Sequence, residues 1–226
     1  NWNAKISSIV QTSLTKAADT ALFTMKDCSD EGSSNFSHKF AAMVTGGLGG
    51  FFGLAGIAVE LPISTTLMLR SIADIARSEG ENLKCDDAKR ACIEVFALGG
   101  KSKSDDASES GYFTIRTLLA RSVTEASEFL LEKTLAEEGA PAMVRLIATV
   151  STRFGIQVTE KAAAQAVPII GAAGGATINL IFMDHFQDMG RGHFIVRRLE
   201  RKYGADTVKT AYMALPDYSS PEAVQG

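Results

Sequence analysis

AAMVTGGLGGFFGLAGIAV, residues 41–59, and AAAQAVPIIGAAGGATINLIFM, residues 162–183, contain no ionisable side chain and are rich in glycine and alanine. Glu60 borders the first stretch, and Asp184 with His185 borders the second. A helix rises about 1.5 Å per residue, so a run of roughly 19 residues reaches about 30 Å, the thickness of a bilayer's hydrocarbon core. Length therefore permits a membrane span without requiring one. Small residues bury little apolar area but let helix backbones approach closely, which also serves a packed helical interior or a lipid-binding cavity. Gly46 to Gly50 and Gly49 to Gly53 have the GxxxG spacing of close-packed helices, and these glycines, with Gly171, Gly174 and Gly175 of the second stretch, are the expected lipid or membrane contacts. Glu60 and Asn179 are polar groups in apolar surroundings and need hydrogen-bonding partners, either across a helix interface or from a ligand.

The flanking sequence is helical as well. Trp2, Ile6, Ile9, Val10, Leu14, Ala17, Ala21 and Leu22 recur at spacings of three and four and form one amphipathic stripe over residues 2–26. A polar run, CSDEGSSNFSHK, ends it. Glu60, Leu61 and Pro62 read as a corner, because proline suits the first turn of a helix and not its interior. From Ile63 to Ser78 the pattern is again helical, with Arg70, Asp74 and Arg77 spaced to pair, and Gly80 ends the element. Asp86 or Asp87 is placed to cap a helix running to Leu98, with Gly99 as a left-handed stop. KSKSDDASESG, residues 101–111, is the strongest linker, since small polar and charged residues support no core. A helix from Tyr112 to Glu138 follows. Gly155 and Pro168 punctuate the next segment, and the second glycine-rich stretch continues towards Lys202. Gly204 then breaks the chain before a short last helix to Leu215, and residues 216–226 read as a loose tail. The expected fold is an all-α multi-helix bundle forming a single domain of 226 residues. No aligned period relates the two glycine-rich stretches.

Composition narrows the setting. With 46% hydrophobic and 22% charged residues the chain is neither disordered nor an ordinary polytopic membrane protein. A formal net charge of −3 argues against nucleic acid as a partner, which normally needs a basic face. Three cysteines, Cys28, Cys85 and Cys92, form no CxxC or zinc-type spacing, so a disulfide framework or structural metal is not expected and a cytoplasmic setting fits. The opening NWNAKISSIV does not read as a secretory signal.

Motifs for catalysis and cofactors fail on inspection. Gly100, Lys101 and Ser102 resemble the end of a phosphate-binding loop, but Val95 occupies the position of its first glycine and a helix, not a strand, precedes it. The glycines near residue 50 miss a dinucleotide fingerprint because Phe52 stands where the third should be. No GxSxG or HExxH is present, and no cofactor is called for. His185 and His193 lie about two helical turns apart with Asp184 beside the first. Glu60, Asp184, His185 and His193 could thus form a metal or acid–base site if they converged, or simply be polar groups at the rim of an apolar segment. Arg197, Arg198, Arg201 and Lys202 follow the second stretch. They suit anionic headgroups, where each cation near the surface contributes about 1 kcal/mol, or equally a solvated helix face with local ion pairs such as Arg197 with Glu200.

The ordered series Glu60-Leu61-Pro62, Ile72-Ala73 to Gly80, Leu98-Gly99-Gly100, PIIGAAGGATIN at residues 168–179 and RLERKYG at residues 198–204 resembles the EcsC family. That resemblance covers residues 40–204 and implies a bacterial-type protein with membrane or ABC-transporter association. It brings no established reaction and no catalytic residue. Together these readings give a membrane-associated or lipid-binding helical protein, peripheral to the membrane, whose partner is membrane lipid or another apolar ligand. The alternatives are a membrane-proximal hydrolase, metal-assisted or not, using Glu60, Asp184 and His185, and an accessory protein of an ABC transporter complex.

Overall fold

Helical periodicity is realised throughout the computed structural model, which describes residues 2–22, 53–99, 110–131, 140–165 and 171–215. Helix α1 spans Trp2–Ala17 and is prolonged by a π-helical turn, Ala18–Leu22. Helix α2 spans Gly53–Ser78, and α3 spans Asp86–Glu94 with a 3-10 turn, Val95–Ala97, at its end. Helices α4 (Ser110–Leu131), α5 (Ala140–Gln165), α6 (Gly171–Tyr203) and α7 (Ala205–Met213) complete the described bundle, and no strand occurs among these residues.

The apolar stripes decide the packing. Ile6, Val10 and Leu14, four residues apart on α1, are all 2% exposed or less and pack between α2 and α5. Helix α2 contributes Leu61, Met68, Leu69 and Ile72 to this core, and α5 contributes Leu146, Val150 and Phe154. Phe96 of the 3-10 turn, Phe154 of α5, and Phe182 and Phe186 of α6 form an aromatic cluster with ring centroids 4.9 to 6.0 Å apart. Several meet edge to face, the arrangement favoured by the ring quadrupole.

Helices α2 and α6 lie side by side and run parallel. Gln187 Nε2 donates to Ser71 Oγ at 2.8 Å, Gly190 faces Ile72 and Ile75, and Arg197 reaches Glu81, so residue numbers rise together along both helices. Glu60 and Asn179 lie two to three turns from the Ser71–Gln187 bond in the same direction, and both are buried.

The local expectations divide into those met and those overridden. Gly80, Gly99 and Gly204 all adopt positive φ and end their elements, and α6 runs past Lys202 to Tyr203. Pro62 is not a corner. It lies inside α2, because Leu61, Ser64, Thr65 and Met68 are buried around it and this packing outweighs the one backbone bond that proline forfeits. Gly155 likewise sits within α5 and does not interrupt it. Cys85 occupies the cap of α3, while Asp86 and Asp87 lie in its first turn, where Lys89 and Arg197 draw their carboxylates away from capping. Ser110 and Gly111, read as the end of a linker, open α4. The second glycine-rich stretch is divided between the end of α5 and the start of α6. Residues 41–52, with Gly46, Gly49 and Gly50, lie outside the described residues, as do residues 101–109 and 216–226. Among the described residues no helix is long and apolar enough to cross a membrane.

Candidate functional site

The site begins where α3 ends. Leu98 is extended and Gly99 turns into the left-handed region at φ +70°. The carbonyls that the 3-10 turn leaves without helical partners are taken by α5: Arg153 Nε donates to Ala97 O at 2.9 Å, and Gln157 Nε2 donates to Leu98 O at 3.2 Å. These bonds hold the Leu98–Gly99 arm against α6. A Cβ on Gly99 would lie 2.7 Å from both His185 Cε1 and Met189 Sδ, so conformation and close approach both require glycine here.

Beyond this arm lies a cavity of about 550 Å³, within the range of about 300–1,000 Å³ typical of small-molecule sites. One wall is Leu98 and Gly99, and a second is Gly111, Tyr112 and Ile115 of α4. Helix α6 supplies a long wall with Met189, Gly192, His193, Ile195, Val196 and Leu199, and Asp188 at its edge. Tyr212 of α7 and Leu215 just beyond it complete the lining of this cavity, which stays half open to solvent. The lining is therefore aliphatic and aromatic with few polar groups. Ile195 and Leu215 line it while remaining 38% and 55% exposed, which gives the mouth an apolar rim.

Its principal polar element is a buried pair. Tyr112 Oη lies 3.0 Å from His193 Nδ1, and His193 is 1% exposed. Tyr112 stacks on Tyr212 at 5.6 Å, and the Arg116 guanidinium lies 5.4 Å from the Tyr112 ring centre while holding Glu200 through two bonds of 2.7 and 3.0 Å. Burial, reinforced by the positive charges of Arg116 and Arg197, pulls the His193 pKa down to about 3. Burial pushes the Tyr112 phenol well above its usual range. At neutral pH both groups are uncharged, so the pair is a poor proton acceptor or nucleophile.

The residues singled out from sequence fall into three places. Asp184, His185 and His193 share α6, and His185, Met189 and His193 form a stripe at intervals of four, with His185 against Gly99 and His193 in the cavity wall. Glu60 is on α2, level with the start of α6, and among the described residues no cluster of three His, Cys, Asp or Glu side chains is arranged to hold a metal ion. Arg197, Arg198 and Arg201 tie α6 to the connection between α2 and α3. Arg197 binds Glu81 at 2.8 Å and Asp87 at 2.6 Å, Arg198 lies 3.0 Å from Glu79, and Arg201 binds Glu81 and the Glu79 carbonyl. The bond from Arg197, together with its charge, holds the Asp87 carboxyl below its usual range despite partial burial. Lys202 lies 4.9 Å from the Tyr203 ring centre. Glu200 pairs with Arg116 rather than with Arg197. Gly53 and Gly171 are the first residues of α2 and α6, and Gly174 and Gly175 lie in the first turns of α6. Sequence reading missed the cavity residues Tyr112, Met189, Leu199 and Tyr212. The available signal was the stripe through residues 185, 189 and 193, which continues past the end of the apolar run.

The model of the EcsC protein family matches residues 3–199, which take in the chain from α1 through most of α6. No match to a curated protein or to a solved structure was found.

Proposed function

This chain belongs to the EcsC protein family, and we propose that it is a binding protein for a lipid-like ligand, with the apolar chain held in the cavity between α4, α6 and α7. The observation that carries this reading is the cavity itself: about 550 Å³, walled by Leu98, Ile115, Met189, Val196 and Leu199, with a neutral polar pair as its main hydrophilic feature. Such a lining gains free energy by taking an apolar chain out of water, and it offers no activated nucleophile or base. The exposed apolar rim of Ile195 and Leu215 supports a working place at a membrane surface, from which a lipid could enter without crossing water. Ion pairing engages Arg197, Arg198 and Arg201, so the rim, more than the arginine cluster, supports this peripheral contact.

Gly192 provides the test. It lines the cavity, and a Cβ built on it meets nothing within 4 Å. Gly192→Trp should therefore fill the cavity while leaving the helix intact, because glycine is a poor helix former. Titration of detergent-free protein with a pyrene-labelled acyl chain should give saturable binding that weakens at least about tenfold in Gly192→Trp at unchanged melting temperature. Equal affinity in both proteins, or no saturable binding to the wild type, would remove the reading.

A further inference from the structure

We infer that helix α7 is a lid: it swings about Gly204 and closes over the apolar chain held in the cavity. The inference rests on the ligand-binding reading above and adds how the site admits and retains its occupant.

Two of the three helices around the cavity are pinned. Arg116 of α4 holds Glu200 of α6 through two bonds. Arg197, Arg198 and Arg201 fasten α6 to Glu79, Glu81 and Asp87 as far as its last turn before Gly204. The third helix is joined differently. Gly204 is the single residue between α6 and α7; its N–H donates to Glu200 O at 2.9 Å, and its carbonyl accepts from Val208 N–H at 3.2 Å. It holds φ +87°, and a Cβ built on it meets nothing within 4 Å, so no packing fixes the joint. Hinges are residues of this kind, at element ends, where a change of φ and ψ is absorbed.

Helix α7 itself is lightly attached. Of its nine residues Val208 alone is buried, and the helix packs chiefly against α6. Aromatic contacts join it to α4: Tyr212 stacks on Tyr112 at 5.6 Å and meets Phe113 edge to face at 5.3 Å, and Lys209 Nζ lies 5.9 Å from the Phe113 ring centre. An element with so little buried apolar surface opens at low free energy, and a few ring contacts part and re-form readily. Closure has a driving force. The cavity stays half open, so a chain lying in it leaves apolar surface in water, and Ile195 of α6 and Leu215 beyond α7 are exposed at the rim. Tilting α7 inward brings Tyr212 and Leu215 onto the chain and buries that surface together with the rim. A chain that is bound better by the closed form shifts α7 towards it.

The test is hydrogen–deuterium exchange of detergent-free wild-type protein, free and saturated with the pyrene-labelled acyl chain. In the free protein the amides of residues 205–215 should exchange at least about a hundredfold faster than those of residues 182–197 in α6. Saturation should slow them about tenfold, and more than it slows α1, which does not line the cavity. Phe113→Ala supplies a second readout, since Phe113 holds the lid without lining the cavity. In stopped-flow displacement by excess dodecanol, the pyrene-labelled chain should leave this variant about tenfold faster than it leaves the wild type. The exchange measurement uses the wild type alone, so a poorly folded Phe113→Ala leaves the test intact. Saturable binding with unchanged exchange at residues 205–215, or an unchanged departure rate from folded Phe113→Ala, would overturn the lid while leaving cavity binding in place. Absence of saturable binding to the wild type would overturn the inference together with the reading beneath it.

Discussion

Lowering the pH from 7 to 5 should cost the wild-type chain about 2 kcal/mol more stability than it costs a His193→Phe chain. In the folded protein the imidazole is buried beside Tyr112, near the positive charges of Arg116 and Arg197, with Asp87 the opposing negative charge, and its pKa falls to about 3. In the unfolded chain it titrates near the ordinary value of about 6.5. Between these values the unfolded state holds a proton that the folded state refuses, so stability is fully present above pH 6.5 and is lost as the pH falls towards 3. Each pH unit in that window is worth about 1.4 kcal/mol, and the interval from 6.5 to 5 gives about 2 kcal/mol. Carboxylates such as Asp87, held low by Arg197, also lose their contribution in acid, but they do so in both proteins and cancel in the difference. The assay is urea denaturation of wild type and His193→Phe at pH 7, 6 and 5, followed by far-ultraviolet circular dichroism. Parallel loss of stability in the two proteins would mean that His193 takes up its proton normally when folded, and the buried Tyr112–His193 pair would be refuted.

Gly99→Ala should destabilise by at least about 2 kcal/mol, because the residue leaves a left-handed conformation at φ +70° and its methyl meets His185 and Met189. Gly155→Ala, within α5 and with open space at its Cβ, should instead stabilise by about 0.5–1 kcal/mol; chemical denaturation of the two variants checks both signs. Phe96→Ala removes a fully buried ring that contacts Phe154 at 4.9 Å and Phe186 at 5.1 Å and should cost about 3–5 kcal/mol, measured in the same way.

The elements whose cause is local were legible in the sequence. The four-residue spacing of Ile6, Val10 and Leu14 identifies the buried face of α1, and Gly80, Gly99 and Gly204 end elements because each adopts positive φ. Pro62 was misread because the rule for proline describes an isolated helix, while α2 is clamped by the packing of Leu61, Thr65 and Met68. The arginines after the second stretch were visible as charges, but their partners were not. Glu79, Glu81 and Asp87 lie more than a hundred residues away and meet them only because α2 and α6 run parallel. The cavity was hidden for the same reason. Leu98, Tyr112, His193 and Tyr212 come from four separate elements, and no period or motif links them. Glu60 and Asn179 were recognised as buried, since a polar group within an apolar run makes that prediction directly.

The most direct test is to map where an apolar chain resides. Detergent-free protein would be irradiated with a diazirine-bearing alkyl alcohol, digested, and read by tandem mass spectrometry. The cavity account predicts labels within residues 111–119 and 188–215, at positions such as Ile115, Leu199 and Tyr212, competed away by unlabelled dodecanol and diminished in Gly192→Trp. Labels confined to the glycine-rich stretches at residues 41–59 and 162–183, or scattered and unaffected by competitor, would contradict it.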